Sequence, residues 1–134
     1  MSTLFSYQLQ TSGKQDFIFL DQYIEDALAK SSLENGIMVI YCPHTTAGIT
    51  NNENADPDVL RDLKLGLDKN FPNDPEYVHF EGNSDGHMKS MLVGASETLI
   101  IEEGRPILGR WQSIYFGEFD GPRTRTVYIK IIEG

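Results

Sequence analysis

The sequence predicts an α+β protein with about eight strands and three helices, arranged as two sheets or a sandwich. Three observations lead there. Short alternating or β-branched segments recur along the whole chain. Only three stretches carry helical spacing, and each meets a capping or breaking residue. The 134 residues contain no internal repeat, linker or low-complexity tract, so residues 1–134 read as one domain.

The elements follow in order. Leu4 to Leu9 and Asp16 to Leu20 alternate as strands, joined at Thr11-Ser12-Gly13. Asp21 is placed to cap a short helix with Ile24, Ala27 and Leu28 on its apolar face, and Asn35-Gly36 ends that segment. Ile37 to Cys42 is apolar, β-branched and closed by Pro43, the pattern of a buried strand. Asp56-Pro57 combines an N-cap with proline at the first helical position, and Leu60, Leu63, Leu67 and Phe71 then recur at helical spacing. Pro72 and Pro75 stop that helix. Tyr77 to Phe80 reads as a short strand, and Ser84 to Val93 as a short helix ended by Gly94. Strands follow at Thr98 to Ile101 and, beyond a turn at Glu103-Gly104, at Pro106 to Leu108.

The last segment reads as a hairpin with Gly121-Pro122 as a two-residue turn and Gly supplying a positive φ. That register sets Asp120 opposite Arg123, Glu118 opposite Arg125, Phe116 opposite Val127 and Ile114 opposite Ile129. It gives one apolar face, charged only at the tip, and a one-residue slip would mix the two faces.

Charge narrows the function. Eleven Lys and Arg against 20 Asp and Glu give a net charge of −9, which argues against nonspecific nucleic-acid or anionic-membrane binding. The distribution is uneven. Residues 1–103 hold 6 basic and 17 acidic residues, whereas residues 104–134 hold 5 basic and 3 acidic. A site for a small anion therefore belongs to the last quarter. Cys42 is the single cysteine, so neither an intramolecular disulfide nor a Cys-rich zinc site can form. No signal peptide or membrane-spanning run is evident, and a cytoplasmic location is expected.

Three histidines lie at element ends, where a scaffold can hold a site. His44 follows a buried strand, His79 closes a short segment, and His87 sits in the first turn of a helix. Each alone is adequately read as a hydrogen-bonded structural residue. Together they could ligate a divalent metal such as Zn²⁺. Asn51-Asn52-Glu53-Asn54-Ala55-Asp56 is rich in oxygen ligands suited to Mg²⁺. Asp56 is accounted for as a cap, whereas Glu53 has no such structural role and ranks higher as a functional carboxylate. Arg123 and Arg125 offer planar forks for phosphate or carboxylate. Arg125 shares parity with Val127, Ile129 and Ile131, which places a charge on an apolar face, where it needs a partner or a ligand. Thr45, Thr46, Lys89 and Ser90 are further phosphate donors, and Gly82-Asn83-Ser84-Asp85-Gly86 precedes a helix whose N-terminus suits an anion. Trp111 is read first as packing.

Several of these segments together resemble one family. They are His44-Thr45-Thr46-Ala47-Gly48-Ile49-Thr50-Asn51-Asn52-Glu53; His79 with Glu81-Gly82-Asn83 and His87; Gly94 and Gly104; Leu108-Gly109 and Trp111-Gln112; and Glu118-Phe119-Asp120-Gly121-Pro122-Arg123 with Arg125. The combination, spread over about residues 15–133, is similar to the YjbQ-like family, also called the secondary thiamine-phosphate synthase family. The resemblance implies a β-sandwich of mixed or antiparallel strands with about three helices, assembled as a homotrimer. It implies a site gathering the His44, His79 and His87 segments with Glu53 near a subunit boundary. The implied reaction joins hydroxymethylpyrimidine diphosphate to a thiazole phosphate and releases pyrophosphate.

The residues suit that chemistry. Pyrophosphate departure concentrates charge on oxygens that a cation or Arg stabilises. Glu53, with Asp56 or Asp85, is the candidate Mg²⁺ ligand. Asn83, Arg123, Arg125, Lys89, Ser90, Thr45 and Thr46 are candidates for the phosphates, and Trp111 for stacking on a ring. His44, Glu53 and His87 are the candidate catalytic groups. Two other readings compete: a metal-dependent hydrolase on His44, His79 and His87, and a nonenzymatic trimeric module that binds anions.

Overall fold

The computed structural model describes residues 3–134. Its elements run β1 (Leu4–Gln10), β2 (Asp16–Phe19), α1 (Asp21–Ser31), β3 (Gly36–Tyr41), β4 (Ala47–Glu53), α2 (Pro57–Asn70), α3 (Ser84–Val93), β5 (Ser96–Glu102), β6 (Arg105–Pro106), β7 (Gln112–Glu118) and β8 (Thr124–Glu133). The strands form a five-stranded sheet, β1-β8-β3-β5-β6, and a three-stranded sheet, β2-β7-β4. Every pairing is antiparallel.

The core lies between the two sheets. Met38, Ile40, Leu99, Ile101, Val127, Ile129 and Ile131 come from the larger sheet, and Ile49, Ile114 and Phe116 from the smaller. Leu20, Ile24 and Ala27 add the apolar side of α1. Each fully buried aliphatic or aromatic side chain contributes about 1.5–3 kcal/mol of transfer free energy. A second cluster covers the outer face of the small sheet. Phe17, Tyr115 and Phe119 meet Leu60, Leu63 and Leu67 of α2 and Val93 of α3. Gly117 makes this close approach possible, because a Cβ there would come within 2.8 Å of the Phe119 ring.

Local chemistry explains most boundaries. Asp56 caps α2, its Oδ1 accepting the Asp58 N–H at 2.9 Å, and Pro57 opens the helix as expected. Glu103 and Gly104 both take positive φ in the turn between β5 and β6. Three expectations about single elements need correction. Asp21 does not cap α1: it is the first helical residue, Leu20 is the N-cap, and the Asp21 carboxylate accepts from Ser113 Oγ at 3.4 Å. Tyr77 to Phe80 is not a strand, for no neighbouring strand offers it a ladder, and Val78 and Phe80 stand 96% and 91% exposed. The strand expected at Ile37 to Cys42 forms as Gly36–Tyr41, but only one face is buried; Ile37 and Tyr41 point outward.

The largest correction concerns the last hairpin. β7 and β8 do not pair. β7 lies between β2 and β4, and β8 between β1 and β3, in opposite sheets. The segment after Glu118 carries the chain from one sheet to the other, through a cis Gly121-Pro122 peptide. Gly121 has no left-handed φ; it is needed because a Cβ would collide with Gly13 O, Glu118 and Thr11. Parity placed Ile114 and Phe116 with Val127 and Ile129 on one core, and they do share it. They meet face to face across the sandwich instead of side by side. The expected charge pairs, Glu118–Arg125 and Asp120–Arg123, both form across this crossing.

Candidate active site

The site begins where β8 outruns β3. The ladder between them ends at Tyr41 opposite Tyr128, because the chain turns away at Pro43, which has no N–H to offer. The Thr126 N–H is thereby left without a strand partner on that side, and His44 Nε2 accepts it at 2.9 Å. The neighbouring Arg125 turns inward and is 4% exposed, while Glu118 opposite it is fully buried.

Glu118 is completely satisfied. It accepts from Arg125 Nε at 2.8 Å, from Arg125 Nη2, from Thr11 Oγ1 at 2.7 Å and from the Asp120 N–H at 3.0 Å. Burial alone would raise its pKa, but the Arg125, Thr11 and Asp120 hydrogen bonds outweigh burial and hold it below the usual carboxylate range. Arg125 Nη2 also donates to Thr46 Oγ1 at 2.9 Å. Its Nη1 has no hydrogen-bond partner among the described residues and is the nitrogen left to a ligand. Burial, then the Arg125 charge, pushes the His44 pKa below the ordinary histidine value.

These groups border a polar cleft of about 270 Å³. His44, Thr45 and Thr46 line it from the β3–β4 turn, Glu81, Asn83 and His87 from α3 and its approach, and Arg123 and Arg125 from the sheet crossing. Arg123 is half-exposed and steadied by Asp120, with Nε to Asp120 O at 2.8 Å and Nη2 to Asp120 Oδ2 at 2.7 Å. Asn83 is fixed on the same carboxylate, its Nδ2 donating at 2.7 Å. A second hollow of about 420 Å³ shares His44, Thr45 and His87 and continues to Ser90, Met91 and Ala95. Ser90 Oγ donates to Ala47 O at 2.6 Å.

The other candidates do not line the cleft. His79 packs edge to face on His87, ring centroids 5.4 Å apart, and its Nε2 is 3.7 Å from Glu81 Oε1. Lys89 is buried under α2 and donates to Asp68 at 2.6 Å, away from the cleft. Asp85 is buried and takes Lys14 Nζ at 3.0 Å. Glu53 ends β4 six residues after Ala47, about 20 Å along the strand at the usual rise. It does have a structural role, because its Oε2 accepts the Asp56 N–H at 3.2 Å. Trp111 belongs to the same far end: its carbonyl accepts from Asn54 N at 2.8 Å, and Arg110 lies over its ring at 4.8 Å. Among the described residues, no three His, Cys, Asp or Glu side chains are close enough to hold one metal ion. His44, His79 and His87 with Glu53 and Asp56 therefore do not form a metal centre within one chain. No helix of the described residues is long and apolar enough to cross a membrane.

Sequence reasoning missed Thr11, Glu81 and Thr126 as builders of the site, whereas Asp120 was expected as the partner of Arg123. Thr11 reaches Glu118 over 107 positions, and Thr126 acts through its backbone, so neither leaves a local signal. Glu81 lies in the Glu81-Gly82-Asn83 segment, where the sequence pattern assigns it no role.

Comparison with known proteins bears on the family and the fold. The family model described as UPF0047 protein YjbQ-like matches residues 5–134. A UPF0047 protein of Methanocaldococcus jannaschii is 52% identical over 129 residues, covering 96% of this chain and 94% of its own. The UPF0047 protein YugU of Bacillus subtilis is 52% identical over 126 residues, 93% of this chain and 96% of its own. A crystal structure of a YjbQ/UPF0047 protein from Clostridium acetobutylicum matches with a TM-score of 0.93 at 52% identity, covering 96% of this chain and 99% of that one.

Proposed function

The chain belongs to the UPF0047 YjbQ-like family, and from its cleft we propose that it is a small-molecule enzyme acting on a phosphorylated or otherwise anionic substrate. The observation that supports this reading is the convergence of His44, Thr45, Thr46, Asn83, His87, Arg123 and Arg125 on one cleft. A thiamine-phosphate synthase-type transfer fits it as a secondary activity. Arg123 and Arg125 Nη1 would take the charge that builds on a departing pyrophosphate. The thiazole nitrogen is itself the nucleophile, so no side-chain nucleophile is required. A divalent ion would enter with the diphosphate, as part of the substrate.

The same proposal includes a homotrimer. The outer face of the large sheet is uncovered and apolar in the single chain. Ile37 stands between Ile100 and Ile132, and Tyr41 stands beside Tyr128. Contiguous exposed apolar side chains mark a protein interface, and further copies of the chain are the occupants we propose. Glu53 and Trp111 would join the cleft as a neighbour's contribution. Incubating purified protein with hydroxymethylpyrimidine diphosphate and thiazole phosphate tests the reaction. Product formed over many turnovers, and lost in Arg123→Gln and His87→Ala, is expected. Phosphate binding without turnover would favour the nonenzymatic module. Mixing Glu53→Ala and Arg123→Gln subunits tests the shared site, since only a site built from two copies regains activity in the mixture.

A further inference from the structure

His44 is fixed at one nitrogen by the backbone. The Thr126 N–H points at Nε2 from 2.9 Å, and a nitrogen can accept that hydrogen bond only with its lone pair free. A neutral imidazole with Nε2 unprotonated carries its proton on Nδ1. Nδ1 has no hydrogen-bond partner among the described residues and is not sealed from the cleft that the residue lines.

We infer that His44 serves the cleft as a fixed neutral hydrogen-bond donor, offering Nδ1–H to an oxygen of the bound anion. This rests on the reading of the cleft as an anion site and adds the role that one residue plays in it. General-base or metal chemistry at Nε2 would have to break the bond to Thr126. A metal at Nδ1 would require both ring nitrogens to be unprotonated, an imidazolate. The surroundings act in the same direction. Arg125 and Arg123 bring positive charge to the ring, Glu118, whose charge opposes theirs, is tied up by Arg125 and Thr11, and Glu81 lines the same cleft. Phe116 stands edge to face against the imidazole, centroids 6.4 Å apart.

The assignment divides labour among the histidines. His44, Arg123 and Arg125 Nη1 form a donor set of the kind that a multi-oxygen anion satisfies. His87 is then the imidazole of the cleft left to exchange a proton.

Long-range proton–nitrogen correlation spectra of the full chain, labelled with ¹⁵N in histidine, read the tautomer directly. His44→Gln assigns the signals. In the free protein at pH 7.5 the expected form has the proton on Nδ1, and it stays neutral below the ordinary histidine pKa of about 6.5. Added inorganic phosphate should shift the His44 Nδ1 signal without changing the tautomer. His44→Gln keeps an acceptor for Thr126 but has no donor at the Nδ1 position, and should bind phosphate about tenfold more weakly, the loss of one net hydrogen bond. His44→Asn keeps an N–H near that position and should recover most of the affinity. A proton on Nε2, a charged His44 at pH 7, or His44→Gln binding phosphate as well as the wild type would overturn the inference and leave the anion site standing. Phosphate that moves no signal of His44 or His87 would overturn both.

Discussion

The two ends of β4 are six residues apart and differ in how their polar groups are held. At the Ala47 end, side chains arrive from Thr11, the His44–Thr46 turn, the start of α3 and the sheet crossing at Glu118–Arg125. Thr11, Thr46, Glu118 and Arg125 are buried and bound to one another. At the Glu53 end the polar groups come from two short neighbouring segments. Asn54 bonds to Gln112 and Ser113, Glu53 to Asp56, and Trp111 stands 53% exposed. The first end is oriented by the fold before any ligand arrives, which is the condition for electrostatic recognition at low reorganisation cost. The second is an open surface whose role depends on what meets it.

The strongest way to break the comparison is to unpair Glu118. Arg125→Met would leave a carboxylate in the core with only Thr11 and one backbone N–H. Removing one member of a buried ion pair costs about 3–5 kcal/mol, and urea unfolding should register a loss of that size. Adding Glu118→Leu should recover about half of it or more. A single substitution that costs less than about 1 kcal/mol would show that the Ala47 end is not held as described. Arg123→Gln sharpens the contrast within the cleft. Its pair with Asp120 is half-exposed, so stability should change by less than about 1 kcal/mol. Phosphate affinity, measured by calorimetry, should fall about tenfold or more with the charge-assisted bond.

Acid reaches the same end in two stages. The folded state holds the His44 pKa down, so below about pH 6.5 the unfolded chain binds a proton that the folded chain refuses. Stability contributed above that value is lost as pH falls toward the folded pKa of His44. Glu118 follows the same sign. Its folded pKa is lowered, so its contribution is present above about pH 4.3 and lost as pH falls through the folded value. Urea titrations at pH 7, 5.5 and 4 should show His44→Gln losing less than the wild type over the first interval. Equal losses would mean that His44 titrates alike in both states.

How far the sequence could be read follows the range of the interactions. The caps and turns at Asp56-Pro57, Glu103-Gly104 and Gly94 are local, and each was legible. Parity was legible too: it placed Arg125 on the apolar face and demanded a partner, and Glu118 is that partner. Parity could not say whether Phe116 and Val127 are lateral neighbours or face each other across a sandwich, because both arrangements put them on one core. The hairpin expectation failed at that point. Tyr77 to Phe80 had strand-like residues but no strand beside it. Within the cleft, His44, Thr46, Arg123 and Arg125 are singled out by the sequence, whereas Thr11, whose partner Glu118 lies 107 positions away, and Thr126, which contributes only an N–H, have no local trace in it.

The smallest expected effect on stability belongs to Trp111, and it tests the open end. The half-exposed ring touches Arg110, a contact worth about 0.5–1 kcal/mol at a surface. The local structure does not depend on the side chain, because Asn54 is held by the Trp111 carbonyl. Trp111→Ala should therefore unfold within about 1 kcal/mol of the wild type. If the Glu53 end of one copy completes the cleft of another, the same substitution should lower turnover or assembly far more than it lowers stability. Light scattering separates those outcomes, since a lost trimer changes mass and a lost stacking surface does not. A variant with unchanged stability, mass and turnover would mean that the cleft at the Ala47 end works without the other end.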